Sequence, residues 1–155
     1  TNVYRSVSKK AGLLVLILDG IKPMLALVLI SYFFNEYYQN FKFLYFFISI
    51  VGHVFPIWLM FKGGKGVACF FGGFLIISPI PTLISMAVWM VTVKITKISS
   101  LGALLSIFLL TSYQIVSNYG TLNKGTIFAI MLLIFWKHNE NIKRLIQGKE
   151  NKINL

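Results

Sequence analysis

Five apolar runs divide the chain: Leu13 to Phe34, Phe43 to Phe61, Val67 to Val93, Leu101 to Val116 and Thr126 to Trp136. Because they recur along the whole length, they exclude a single signal peptide ahead of a soluble domain and predict membrane-spanning helices. No polar stretch between them is long enough to act as a linker, so residues 1–155 read as one integral-membrane domain. The run from Val67 to Val93 decides the topology. Pro79 and Pro81 fall near its middle, where a continuous helix would lose amide donors and clash with its preceding turn. It is therefore either one long tilted span or two short, oppositely directed helices.

Charge arbitrates between the two. If the run crosses twice, twelve basic residues share one side: Arg5, Lys9 and Lys10, then Lys62, Lys65, Lys94 and Lys97, then Lys137, Lys143, Arg144, Lys149 and Lys152. Lys42 and Lys124 face the other side, and Lys22 lies within the first run. A single crossing divides the basic residues almost evenly. The excess of Lys and Arg in cytoplasmic loops thus favours two crossings, six spans in all, and both ends of this chain in the cytoplasm.

The composition agrees with a bilayer environment: 57% of residues are hydrophobic and 12% charged, with a mean hydropathy of +0.77. A formal charge of +11 would suit nucleic acid, but the basic residues are scattered between apolar runs and form neither a stripe nor a reading helix. The single cysteine, Cys69, rules out an internal disulfide, and beside Phe70 and Phe71 it reads as packing. Two histidines far apart in sequence and four acids present no metal-ligand spacing, so neither a metal nor another cofactor is expected.

The polar insertions carry the chemistry. In "GHVFPIWLMFKGGKGVA" a helix bearing His53 and Pro56 ends on the cytoplasmic side, Gly63, Gly64 and Gly66 make a tight turn, and the next helix opens near Val67. Such a turn exposes backbone amides and lets a ligand approach closely, while Lys62 and Lys65 add positive charge; phosphate is the natural guest. It is not a Walker A loop, since Lys65 precedes Gly66 rather than Ser or Thr. The alternative is a short loop whose lysines serve topology alone. Asp19 and Lys22, three apart in the first run, share a helix face and form either a structural ion pair or one beside a polar site. His53 either packs near the interface or donates to a substrate oxygen. Ser99 and Ser100 either cap a helix or bind substrate, and the basic tail after Trp136 also suits an amphipathic interfacial helix. No acid–base pair is visible, and Cys69 has no activating base at defined spacing.

These blocks, in order "TNVYR" with "KKAGLLVLILDGIK", "GHVFPIWLMFKGGKGVA", "KISSLGALLS" and "WKHNENIKRLIQGKENKI", closely resemble the bacterial acyl-phosphate:glycerol-3-phosphate acyltransferase family, PlsY, over nearly the full chain. The resemblance implies transfer of a fatty acyl group from acyl phosphate to the sn-1 hydroxyl of glycerol 3-phosphate, forming lysophosphatidic acid for phospholipid biosynthesis in the bacterial inner membrane. It implies an all-α polytopic fold in which this chain supplies the last six of seven transmembrane helices. The first helix and most of a glycine-rich motif, G-S-G-N-x-G-A-T-N-x-x-R, would then be missing, with Asn2 and Arg5 as its remnant.

By the same resemblance Asn2, Arg5, His53, Lys62, Gly63, Gly64, Lys65 and Gly66 bind substrate, and Ser100, His138 and Asn141 are catalytic. The implied partners are the two substrates and membrane lipid, with no protein partner assigned. Three positions depart from the family: Cys69 replaces a usual Thr, Ala103 a usual Ser, and Asn139 a usual Arg whose guanidinium could pair with phosphate. Two other classes also fit the residues: an anion transporter, although no inverted repeat is visible, and a degenerate structural membrane protein.

Overall fold

The structure, a computed structural model, describes residues 9–118 and 120–153. Asn2 and Arg5 lie outside the described residues. The described chain is helical: α1 (Lys9–Phe33), α2 (Asn35–Val54), a single 3-10 turn (Ile57–Leu59), α3 (Val67–Ile77), α4 (Pro79–Thr96), α5 (Ser99–Ser117), α6 (Thr121–Lys137) and α7 (Asn139–Ile146). It divides into two compact units at the Ile77–Ser78 junction.

In the first unit α1, α2 and α3 pack on one another. At 25 residues, α1 is long enough to cross a hydrocarbon core of about 30 Å. Leu13 through Leu18 lie open along it, as lipid-facing side chains should. A Cβ on Gly72 would run into the backbone of Gly20, meeting its carbonyl carbon at 2.7 Å. Two glycines therefore let α1 and α3 touch backbone to backbone, the close approach that small residues permit between membrane helices. Against α2 the filling is aromatic: Phe46 stands edge-on to Phe74 at 5.1 Å, and Phe70 lies 4.8 Å from Phe74. Gly73 leaves the room that the Phe46 ring occupies.

In the second unit α4 packs on α5, α5 on α6, and α6 on α7. Ser85 Oγ donates to the carbonyl of Ser106 at 2.7 Å, joining α4 to α5 through a buried polar contact. Gly102 lies under Trp89 and Val93. Thr111 Oγ1 donates to its own helix at Ile107 and also meets Met131 Sδ of α6 at 3.2 Å.

The long run from Val67 to Val93 is broken, as expected, at Ser78, immediately ahead of the proline pair. Pro79 opens α4 and Pro81 falls in its first turn, where a missing amide costs least. The inward proline of the chain is instead Pro23, inside α1. Among the described residues four helices are long and apolar enough to span: Lys10–Phe33, Asn35–Leu59, Pro79–Thr96 and Ser99–Ser117. Of the six expected spans, α3 has only 11 residues, and α6 has 17 with Lys124 near its start. An all-α, multi-pass membrane fold stands; the count of six is not reached on length and composition alone.

Candidate functional site

In the first unit the site is built where α2 ends. Pro56 starts the 3-10 turn, and Met60 and Phe61 then take left-handed conformations with φ of 49° and 63°, which turn the chain back. The amide of Gly63 donates to the carbonyl of Val54 at 3.1 Å and seats the loop on the end of α2. A side chain at Gly63 would strike the His53 and Val54 carbonyls, and one at Gly64 would strike the His53 ring. Gly66, buried with φ of 85°, makes the last turn, and its carbonyl accepts from Phe70 as α3 begins.

The first two glycines are thus required by contact of the loop with its own helix, beyond any need for ligand approach. The result is a cationic turn, with Lys62 and Lys65 exposed, leading into a helix whose first amides have no partner within the helix. That arrangement is suited to an anion.

His53 stands beneath this turn. Its Nδ1 lies 3.6 Å from Asp19 Oδ1 of α1, and the same carboxylate oxygen accepts from Lys22 Nζ at 2.6 Å. The Asp19–Lys22 pair was legible from spacing; the approach of Asp19 to His53 was not, because it depends on how α1 and α2 face each other. Cys69 is fully buried, and its thiol donates to the backbone carbonyl of Asp19 at 3.1 Å. It serves as packing and as a donor to α1.

A second polar cluster lies in the other unit. His138, between α6 and α7, is 2% exposed, and its Nδ1 donates to the carbonyl of Ile134 at 2.8 Å, which sets the Nδ1-protonated form of the ring. One turn on, buried Asn141 donates through Nδ2 to Glu150 Oε1 at 2.7 Å. Arg144 Nε donates to Glu150 Oε2 at 2.8 Å, and the Glu150 side chain is only 5% exposed.

Ser100, in the first turn of α5, makes no capping bond. Its buried hydroxyl has no well-aligned partner, yet it faces the Glu150 carboxylate closely enough to help stabilise the charge there. Burial pushes the Glu150 carboxyl upward, but the bonds from Arg144 and Asn141, the nearby Ser100 hydroxyl and the positive charge of Arg144 outweigh it, holding the group below its ordinary value. The tail is also tied down further on, where Ile153 N donates to the carbonyl of Lys97 at 2.7 Å.

The residues expected at the site therefore fall into two sets: His53 with Lys62, Gly63, Gly64, Lys65 and Gly66 in one unit, and Ser100, His138 and Asn141 in the other. Glu150, which organises the second set, was missed. The available signal was an acid following Gly148, whose φ of 67° turns the tail back toward α7. Among the described residues no three of His, Cys, Asp and Glu converge on a metal site. A cleft of about 450 Å³ lined by Val28, Ser31, Tyr32, Asn35 and Ile76 holds none of the expected site residues and lies at the opposite end of α3 from the glycine turn.

The sequence model of a family described as Glycerol-3-phosphate acyltransferase matches residues 1–148. The chain is 36% identical to a glycerol-3-phosphate acyltransferase of Ehrlichia chaffeensis, covering 100% of this chain and 77% of that one. It is 41% identical to that of Ruthia magnifica, covering 99% and 77%. In structure it is similar to PlsY (YgiH), an integral membrane glycerol 3-phosphate acyltransferase, in its glycerol 3-phosphate form. That match has a TM-score of 0.86, 30% identity, and coverage of 99% of this chain and 76% of that one. Against the lysophosphatidic acid form the TM-score is 0.85.

Proposed function

Since the chain belongs to the glycerol-3-phosphate acyltransferase family, we propose that it transfers a fatty acyl group from acyl phosphate to the sn-1 hydroxyl of glycerol 3-phosphate, releasing lysophosphatidic acid and inorganic phosphate. The observation that carries the reading is the likeness, over 99% of the chain, to a membrane acyltransferase solved in both its glycerol 3-phosphate and its lysophosphatidic acid forms. The protein is an integral, multi-pass protein of the bacterial inner membrane, working in phospholipid biosynthesis.

The chemistry asks little of the protein beyond placement and charge. Acyl phosphate is already activated, because phosphate leaves readily with the electron pair of the breaking C–O bond. The hydroxyl oxygen of glycerol 3-phosphate attacks the acyl carbon, and its proton passes to a phosphate oxygen, so no side chain need serve as general base. The work left to the protein is alignment of an apolar donor from lipid with an anionic acceptor from water, and stabilisation of the developing charge.

Lys62, Lys65 and the Gly63, Gly64 and Gly66 backbone hold phosphate, with Asn2 and Arg5 contributing from the preceding segment. Ser100, His138 and Asn141 orient the acceptor and polarise the reacting groups. Glu150 acts one step behind, fixing the Asn141 amide. His53 supports the turn.

The finer topology belongs to the same reading. Six spans with both ends cytoplasmic place the loops at Lys62, Lys94 and Lys137 on one face, with α3 and α6 as short crossings sheltered by their neighbours. The deciding experiment supplies full-length protein in liposomes with labelled glycerol 3-phosphate and acyl phosphate. Lysophosphatidic acid should form. Product from acyl-CoA alone, with its conversion to acyl phosphate excluded, would contradict the donor class; uptake of glycerol 3-phosphate without any product would identify a transporter.

A further inference from the structure

Asp19 sits within an apolar span, with its side chain 20% exposed, where an ionised group is costly unless partnered. Lys22 partners it, although that lysine is itself 60% exposed. What distinguishes Asp19 is how firmly it is placed and what lies beyond it.

Its backbone carbonyl is the one that would accept from residue 23 in the α-helical ladder, and Pro23 has no amide to give. Cys69 Sγ of α3 supplies the missing donor, and the adjoining Gly20 is pressed against Gly72 of α3. Asp19 is therefore pinned to the first turns of α3. Its Oδ1 faces His53 Nδ1 at 3.6 Å, just beyond direct hydrogen-bond length, a separation of the sort that tightens when a site is occupied. The other edge of the ring, at Nε2, lies against Gly64 with no room for a Cβ.

The contacts close a circuit from α3 through Asp19 of α1 and His53 of α2 to Gly64, and from Gly64 back along the turn to the start of α3. Resting on the acyltransferase reading, we propose that Asp19 is a positioning residue: it holds the His53 ring with Nδ1 toward α1 and Nε2 toward the turn, and so sets the backbone of the turn that receives the phosphate of glycerol 3-phosphate. Asp19 touches no substrate in this arrangement.

The experiment measures two quantities on full-length protein in bilayers: the nitrogen resonances of ¹⁵N-histidine, with the His53 signals assigned by His53→Gln, and the equilibrium affinity for glycerol 3-phosphate. The wild-type ring should be protonated at Nδ1. In Asp19→Ala that form should give way to the Nε2-protonated one, and affinity should fall about tenfold, the scale of one lost charge-assisted hydrogen bond. Asp19→Asn retains an acceptor oxygen and should recover the ring signature and most of the affinity. Lys22→Gln should leave the His53 signals in place.

Unmoved His53 signals in Asp19→Ala, or moved signals with unchanged affinity, would overturn the proposal. If Asp19→Ala fails to accumulate, Asp19→Asn decides alone: a wild-type ring form with an affinity loss beyond tenfold would mean that the carboxylate acts by other means. Binding without formation of lysophosphatidic acid would defeat the acyltransferase reading and leave the Asp19 link standing.

Discussion

Cys69 of α3 donates its thiol proton to the backbone carbonyl of Asp19 across 3.1 Å, at the position in α1 that Pro23 deprives of an amide. A proline inside a helix ordinarily leaves such a carbonyl to a neighbouring hydroxyl or to water. Here a neighbouring helix answers it with a short side-chain donor.

Cys69→Ser and Cys69→Thr should keep the donor and leave thermal stability in detergent nearly unchanged. Cys69→Ala should leave a buried carbonyl unpaired at a cost of about 1–3 kcal/mol, read as a lower unfolding midpoint. Turnover per folded molecule should survive all three substitutions. If Cys69→Ser abolished turnover at normal abundance, a thiol-centred mechanism would replace the one given above.

Gly72 and Gly52 make a matched test of helix contact. Gly72→Ala drives a methyl into the Gly20 backbone and should destabilise by roughly 1–3 kcal/mol, the usual range for overpacking. At Gly52, where a Cβ meets nothing within 4 Å, alanine should be neutral or stabilise α2 by about 0.5–1 kcal/mol. Equal midpoints for the two variants would show that α1 and α3 do not meet at these glycines.

At the glycine turn the test is binding. Lys65→Ala removes a positive charge and Gly64→Ala displaces the loop from His53, so each should raise the half-saturation concentration for glycerol 3-phosphate about tenfold at unchanged membrane abundance. A Lys65→Ala protein with unaltered saturation would leave the turn a topological signal only.

Glu150 should reveal itself through acidity. Its carboxyl is held below the ordinary 4.5, so its contribution to stability is complete above that value and is lost as pH falls through the lower folded value. The tail should therefore loosen as pH falls below that ordinary value, measurable as amide exchange at Ile153. Glu150→Gln should remove that acid step and lower turnover by freeing Asn141; an acid transition identical to wild type would assign it to other groups.

For the membrane arrangement, single cysteines replacing Lys62 and Lys94 in a Cys69→Ser background should both react with an impermeant reagent from the cytoplasmic side. Labelling from opposite sides would mean that residues 67–93 cross once.

Much of this protein can be read along the chain. Hydropathy alone locates the spans, because each helix in lipid must satisfy its backbone internally and so declares itself as a continuous apolar run. The prolines announce a break between Val67 and Val93, and the order of Lys62, Gly63, Gly64, Lys65 and Gly66 announces a tight cationic turn, since those properties belong to the local backbone. Even so, α3 shows the limit of the method: a run that counts as half of a long span becomes an 11-residue helix.

What tertiary structure decided is which polar groups meet. Asp19 with His53, Cys69 with the carbonyl that Pro23 orphans, and Asn141 with Glu150 join positions that no spacing rule connects. Whether they face one another depends on the rotation of each helix about its axis and on how closely two backbones can approach, and those are properties of packed pairs. The same holds for the glycines of the turn: the sequence marks them as places without side chains, but only the fold shows that Gly63 and Gly64 are small because the end of α2 and the His53 ring already occupy the space.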